Sequence, residues 1–343
     1  MPVSIDLTAA TYCGNEPGSI AEAMVRGVFN PIDLALLGFS VREDVVVKEK
    51  MYLASMQENI TRKRIACGDK TNSGAFKLRE KFLNPSNLQI WDQICAEDFG
   101  GKVTELARQK GFAINDLQGT EIETLVSTLY SGVWKRDMLA IVQFGDTALD
   151  VTATAGALQA QNQTLATMDG IWKQIFAAVA LVAGDPDKII RAVTVPAGAL
   201  PANYARDIFL PGLYFGQSEL MKQVDNAEKK FVVAGAIYDN YLQSLMSTPA
   251  INASFTILQD GQTRLSYNGI EVIANRMIDQ KTTTLKNRGY LIVQGGVQVG
   301  TDTQQETQVM KTWYSQDTDL NNVQIRYKLA VNFIDGDALV VGY

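Results

Sequence analysis

The strongest periodic pattern in the chain predicts a long helix at about residues 120–144. Apolar residues recur there at the spacing of one helix face, at Ile122, Leu125, Val126, Leu129 and Val133. Thr120, with Glu123 three residues later, fits a capping box, and Gly145 follows the last periodic turn. The pattern predicts roughly 22 residues, or about 33 Å of helix. A helix of that length is typical of a spine for thinner surrounding layers.

Residues 43–86 show a different pattern, with two strand-like segments on either side of a turn at residues 67–74. Charges are spread along both segments, and too few apolar residues share one face to build a core. Because an isolated two-stranded hairpin is only marginally stable, this segment either packs on its own domain or reaches a neighbouring subunit. We favour the neighbour. The candidates for contact between subunits are Lys48, Lys50, Arg62, Lys63, Arg64, Lys77, Arg79 and Glu80.

Weaker patterns fill the remainder of the chain. Glycine and proline punctuate an N-terminal arm up to about residue 40, with one short helix at 19–28. Further helices are predicted at 97–110, 167–183, 217–230 and 238–245. Strands are predicted at 88–91, 231–234, 269–273, 290–293, 323–333 and 338–343, with hairpin turns at 260–261 and 268–269. The mixture predicts an α+β protein with an α/β lobe in its middle.

The composition makes an enzyme less probable than a structural protein. The 343 residues include no histidine, so triads and metal sites built on that residue are excluded. The net charge of −6 argues against a nucleic-acid clamp, although it allows one basic face. The three cysteines, Cys13, Cys67 and Cys95, are widely spaced and predict reduced thiols. The sequence shows no signal peptide and no membrane-spanning stretch, which predicts synthesis in a cytoplasm.

Motifs for catalysis or cofactor binding are absent from the sequence. No phosphate-binding loop, dinucleotide turn, nucleophile elbow or calcium loop is found, so we predict no cofactor and no metal. Carboxylates lie close together at Glu97/Asp98, Glu121/Glu123 and Asp335/Asp337, but such pairs are common. The basic cluster at residues 62–64 could contact nucleic acid. The acidic residues interleaved in the same segment favour ion pairs between subunits.

Several segments, in their order along the chain, resemble the tailed-bacteriophage major capsid protein family with the Hong Kong 97-like fold. Residues 134–141 followed by Gly145 and Asp146 resemble the end of that family's spine helix. Residues 168–171 resemble the entry to its axial domain, and residues 267–272 resemble a recurrent axial-domain strand. Residues 321–326 and 331–340 resemble its closing strands. The resemblance covers nearly the whole chain, and the order of the segments is its most specific part.

This resemblance implies a division of the chain into named parts. These are an N-terminal arm at 1–42, an extended two-stranded loop at 43–86, a peripheral domain at 87–150 and 305–343, and an axial domain at 151–304. The arm begins almost at Met1, which implies a separate scaffolding protein. Several lysines lie in the extended loop, but none is marked as reactive, and no covalent cross-link is predicted.

The implied function is self-assembly. Hexamers and pentamers would form an icosahedral shell around packaged double-stranded DNA, in the virion, after assembly in the host cytoplasm. The implied partners are further copies of the chain, a scaffolding protein and a portal, with a decoration protein as an optional partner. Only non-specific proximity to DNA is implied, and no membrane. An encapsulin-type compartment shell is one alternative. Another virion protein, such as a tail-tube subunit, is a second, and an enzyme of unrecognised type is a third.

Overall fold

A computed structural model describes residues 34, 36–56, 76–94, 121–152, 157–246, 255–257, 263–278, 286–302, 310–318 and 320–343. The strands in these ranges are β1 (Phe39–Arg42), β2 (Glu49–Met56), β3 (Phe76–Leu83), β4 (Ser86–Ile94), β5 (Ile190–Val193), β6 (Lys229–Ala234), β7 (Phe255–Ile257), β8 (Thr263–Tyr267), β9 (Ile270–Asn275), β10 (Gly289–Val293), β11 (Val297–Thr301), β12 (Met310–Ser315), β13 (Leu320–Phe333) and β14 (Leu339–Gly342). The α-helices include α1 (Glu121–Phe144), α2 (Ala157–Leu165), α3 (Ile171–Val179), α4 (Leu210–Phe215), α5 (Glu219–Gln223) and α6 (Gly235–Met246).

The five-stranded sheet is organised around the long strand β13. Strand β4 pairs along one side of β13, while β12 and β11 pair with successive parts of its other side, and β1 extends the sheet in parallel with β11. Alternate residues of β13 form an apolar face that includes the buried Ile325, Tyr327 and Leu329. Helix α1 packs on that face, with the rings of Trp134 and Tyr327 5.3 Å apart. The sheet is therefore covered by helices on one face.

The second sheet has seven strands in the order β5-β14-β10-β6-β9-β8-β7. Strands β6 and β9 run parallel, as do β5 and β14, and the other neighbours are antiparallel. The central strands β6, β10 and β14 are almost wholly buried, which explains their nearly continuous apolar sequences. One hydrophobic core connects this sheet with the apolar face of the five-stranded sheet.

Two local predictions are confirmed with little change. The predicted spine helix is α1, which has 24 residues and ends at Phe144. The Asn268-Gly269 turn joins β8 to β9, and both residues have positive φ, 49° and 80°. These angles match a two-residue hairpin turn, in which an asparagine followed by glycine is strongly preferred.

The helix predicted at 167–183 is wrong at both ends. Helix α3 begins only at Ile171, after a turn that follows α2. Gly170 lies so close to the end of α1 that a Cβ on it would be 2.6 Å from the backbone nitrogen of Gly145. This backbone contact fixes the chain direction before α3, so the helix cannot begin earlier. At the other end, α3 finishes at Val179 and not near Ala183.

Other boundaries also differ from the sequence predictions. The helix predicted at 217–230 is only the short α5, followed by one 3-10 turn and then β6. Strand β11 belongs to the five-stranded sheet and β14 to the seven-stranded sheet, so the two sheets interleave along the chain. The predicted division into peripheral and axial domains stays a prediction. The predicted helices at 19–28 and 97–110 and the turn at 260–261 lie outside the described residues.

Candidate subunit interface

Strands β2 and β3 form the two-stranded hairpin that the sequence predicts. They pair antiparallel from Glu49 opposite Leu83 to Met56 opposite Phe76. Side chains of directly paired residues project to the same face of a hairpin. The inward face, toward the rest of the subunit, carries the pairs Glu49–Leu83, Met51–Lys81 and Leu53–Arg79. The outward face carries the pairs Lys50–Phe82, Tyr52–Glu80 and Ala54–Leu78.

A small apolar cluster holds the base of the inward face. Met51 and Leu83 pack there with Val45 and with Ala330 of β13, and all four side chains are buried. Ala330 belongs to the face of β13 opposite to the one covered by α1. Lys328, on the same face, donates from its Nζ to the carbonyl of Val46 at 3.1 Å. The hairpin therefore starts from the side of the five-stranded sheet that the helices leave open.

Charged side chains make a second attachment on the inward face. Arg79 contacts two carboxylates from separate segments, Asp187 at 3.3 Å and Asp335 at 3.2 Å. Lys81 contacts Asp187 at 2.9 Å, and its Nζ lies 3.6 Å from the centre of the Phe333 ring. Burial lowers the pKa of Lys81, although the hydrogen bond and charge of Asp187 oppose that effect. These contacts join the hairpin to the loop before β5 and to the loop after β13.

The outward face exposes apolar surface. Tyr52, Leu78 and Phe82 are 58 %, 54 % and 37 % exposed. Lys50 and Glu80 form an ion pair at 2.8 Å on this face, and the Nζ of Lys48 lies 4.0 Å from the centre of the Phe82 ring. Single exposed apolar residues are ordinary, but several on one face of a projecting hairpin indicate a surface for another molecule.

A further exposed aromatic residue lies on the open face of the five-stranded sheet. Trp91 of β4 is 56 % exposed and pairs with Gln324 of β13. Its neighbours on this face are largely amides, and Gln93 donates from Nε2 to Oδ1 of Asn322 at 3.1 Å. Tryptophan is enriched at protein–protein interfaces, so this exposed ring indicates a second candidate contact surface.

The structure places the predicted contact residues in three groups. Lys50, Arg79 and Glu80 have ion-pair partners in their own chain, and Lys48 lies against Phe82. Lys77 lies in β3, although its side chain is outside the described set. The basic cluster of Arg62, Lys63 and Arg64 is also outside the described residues. Contact of these residues with a second subunit stays a prediction.

Sequence reasoning missed the residues that anchor the hairpin. Lys81 was not separated from the other charges of the segment, and its partner Asp187 is 106 residues away in the chain. Alternation along β3 could have placed Arg79, Lys81 and Leu83 on one face. It could not have shown that this face is the inward one.

The described part of the chain offers no candidate metal centre. No group of three metal-ligating side chains occurs among these residues. No helix among them combines the length and apolar character needed to cross a bilayer.

Comparison with known proteins gives a likeness at the level of fold. No family model and no curated protein matches the sequence. Among solved structures, a chain of the satellite phage P4 procapsid, including size determination (Sid) protein, aligns with a TM-score of 0.54 and 7% identity, covering 98% of this chain and 94% of that chain. A chain from Gordonia phage Cozz aligns with a TM-score of 0.53 and 13% identity, covering 90% and 85%. A chain from the capsid of the native GTA particle aligns with a TM-score of 0.53 and 10% identity, covering 99% and 95%.

The class of fold follows from these alignments, which include nearly the whole of each chain. The protein has an α+β capsid-subunit fold. More particularly, it is the Hong Kong 97-like fold, and the sequence-based prediction of that fold is confirmed.

Proposed function

We propose that this chain is the major capsid protein of a tailed bacteriophage. In this proposal, it assembles into the hexamers and pentamers of an icosahedral shell that encloses double-stranded DNA. The observation that carries the proposal is the projecting hairpin on this fold, whose inward face is anchored to its own subunit while its outward face exposes Tyr52, Leu78 and Phe82. The protein is structural and not an enzyme.

Assembly also explains why surfaces of this kind are tolerated. A closed symmetric shell repeats the same contacts in every subunit, so exposed apolar groups and sheet edges of one copy are covered by others. The further partners in the proposal are a separate scaffolding protein and a portal, with a decoration protein as an optional partner and only non-specific proximity to packaged DNA. The protein is located in the virion, after assembly in the host cytoplasm.

Electron microscopy of the purified full-length chain tests the proposal, alone and together with a co-expressed scaffolding protein. Uniform icosahedral particles are the expected result. Rods would indicate a tail component, and compartments filled with a protein cargo would indicate an encapsulin-type shell. A chain that stays monomeric under every condition would contradict all three readings.

A matched pair of variants tests the role of the hairpin surface. Leu78→Glu places a charge on the outward face, while Leu158→Glu does the same on α2 at a residue of similar exposure, 50 % against 54 %. Burying a leucine contributes about 1.5–3 kcal/mol, so Leu78→Glu should raise the concentration needed for assembly about tenfold or more. Leu158→Glu should leave it within about threefold. If both variants changed the assembly concentration equally, with unchanged circular dichroism, the outward face of the hairpin would not be part of the subunit interface.

A further inference from the structure

Two attachments of the hairpin to the rest of the described subunit differ in character. The Arg42–Glu49 ion pair, at 3.2 Å, and a hydrogen bond from Nδ2 of Asn332 to the carbonyl of Phe82, at 2.9 Å, lie beside the first of them, at the base of the hairpin. The first is the apolar cluster of Val45, Met51, Leu83 and Ala330, at the end where the strands enter and leave. The second is the set of ion pairs made by Arg79 and Lys81, which lie four and two residues before Leu83 in β3, away from the base of the hairpin. An apolar contact is non-directional and tolerates rotation, whereas ion pairs and charge-assisted hydrogen bonds depend on distance and angle.

A cleft separates the inward face of the hairpin from the body of the subunit. Its volume is about 200 Å³, and its lining includes Met51, Leu53, Arg79, Asp187 and Ile334. Arg79 crosses this cleft to reach Asp187 and Asp335. The outer part of the inward face is thus connected to the body through charged groups and not through close apolar packing.

The carboxylates that receive Arg79 are held in place by their own segments. A Cβ on Gly336, the residue after Asp335, would be 2.6 Å from the carbonyl oxygen of Lys188, so the two loops touch through their backbones. The Asp335 side chain also accepts a hydrogen bond from the backbone nitrogen of Asp337 at 3.4 Å. Two fixed acceptors from different loops therefore define one position for the guanidinium group of Arg79.

We infer that Arg79 and Lys81, with Asp187 and Asp335, form an ionic latch that sets the angle of the hairpin relative to the body of the subunit. The apolar cluster is the pivot, and opening the latch lets the hairpin swing about it. The role of the latch in a shell rests on the proposed function. In a shell, the latch would fix the direction in which each hairpin reaches the neighbouring subunit. The latch itself is inferred from contacts within one subunit and does not depend on assembly.

A distance measurement between spin labels tests the latch in the unassembled full-length chain. The labels are attached at Leu78→Cys on the hairpin and at Val182→Cys beyond α3, where the native side chain is 76 % exposed. Cys13, Cys67 and Cys95 are replaced by serine, and labelled chains are diluted with unlabelled ones. Leu78 lies five residues from the pivot residue Leu83, so a swing of about 20° moves it by about 6 Å at the usual strand rise.

The test variant is Asp187→Asn with Asp335→Asn, which keeps an acceptor oxygen for the backbone of Asp337. A second variant, Arg79→Gln, opens the latch from the hairpin side. The control is Glu80→Gln, which removes the outward ion pair with Lys50 and touches neither attachment. The latch predicts a narrow distance distribution in the parent and the control, and a distribution shifted or broadened by about 6 Å in both latch variants.

Unchanged distributions in both latch variants would overturn the inference, as would equal broadening in the control. Circular dichroism and the melting temperature show whether a variant has lost its fold. If the Asp187→Asn, Asp335→Asn double variant does not fold, Arg79→Gln alone tests the latch. Because the distances are measured on unassembled chains, failure of shell assembly and failure of the latch are distinguishable.

Discussion

The backbone contact between Gly145 and the segment before α3 yields a sharp stability prediction. A Cβ added to Gly145 would be 2.2 Å from the carbonyl oxygen of Met168 and 2.7 Å from that of Ile141. Both are backbone atoms, so no side-chain rotation relieves the clash. The substitution would also disturb the hydrogen bond from the nitrogen of Gly170 to the carbonyl of Gly145, now 2.8 Å long. We expect Gly145→Ala to cost at least about 3 kcal/mol, from overpacking and the weakened hydrogen bond together.

Gly132, in the interior of α1, is the control. Among the described residues, no atom beyond its own helical turns lies within 4 Å of the position that a Cβ would take on Gly132, so alanine is accommodated there. Gly132→Ala should stabilise the helix by about 0.5–1 kcal/mol, because glycine is unfavourable in a helix interior. At a fixed scan rate, the melting temperature of Gly145→Ala should fall by about 4 °C or more and that of Gly132→Ala should rise by about 1 °C. A melting temperature of Gly145→Ala within about 1 °C of the parent would refute the argument, because it would mean that the backbones separate without cost.

Two further predictions concern single turns and ion pairs, and both are read from thermal unfolding of the unassembled chain. Gly269→Ala forces alanine to φ near 80° and should cost about 1–2 kcal/mol, while Asn268→Gly in the same turn should be nearly neutral. Partial burial of Asp169 opposes its ionisation, but hydrogen bonds from Lys173 and Thr147 outweigh that effect and lower its pKa. The stabilisation from a carboxyl with a lowered pKa is present above its unfolded-state pKa, near 4, and is lost as the pH falls through the folded-state pKa. Asp169→Asn should therefore cost up to about 1 kcal/mol at pH 7 and nothing at about pH 2, and an equal cost at both pH values would contradict this explanation.

The elements that sequence reasoning located well are those whose signals are local. Helix α1 has a continuous apolar stripe, so its position followed from spacing alone. The turn before β9 depends on two adjacent residues with a strong preference for positive φ. The hairpin of β2 and β3 was recognised from two charged strand-like segments around a turn, because antiparallel neighbours in sequence pair directly.

The features that could not be predicted depend on contacts between distant parts of the chain. Strand β1 pairs in parallel with β11, more than 250 residues later, and nothing in the four residues of β1 specifies that partner. The start of α3 is set by the contact of Gly170 with Gly145, while the residues before it are compatible with a helix on propensity alone. In both cases tertiary packing decides between local conformations of similar free energy.

The contacts of the candidate interface also depend on distant parts of the chain, and the structure changes which of its residues are expected to contribute affinity. In the sequence, the charges of residues 43–86 were the natural candidates for contact with a neighbour, because both strands carry them. In the structure, Arg79, Lys81, Lys50 and Glu80 have intrachain partners, while Leu78 remains largely exposed. Charges that are already paired gain little from a second partner, whereas exposed apolar area contributes to association in proportion to its burial. In the proposed shell, affinity between subunits would therefore come mainly from the outward apolar face, and the inward charges would determine where that face is presented.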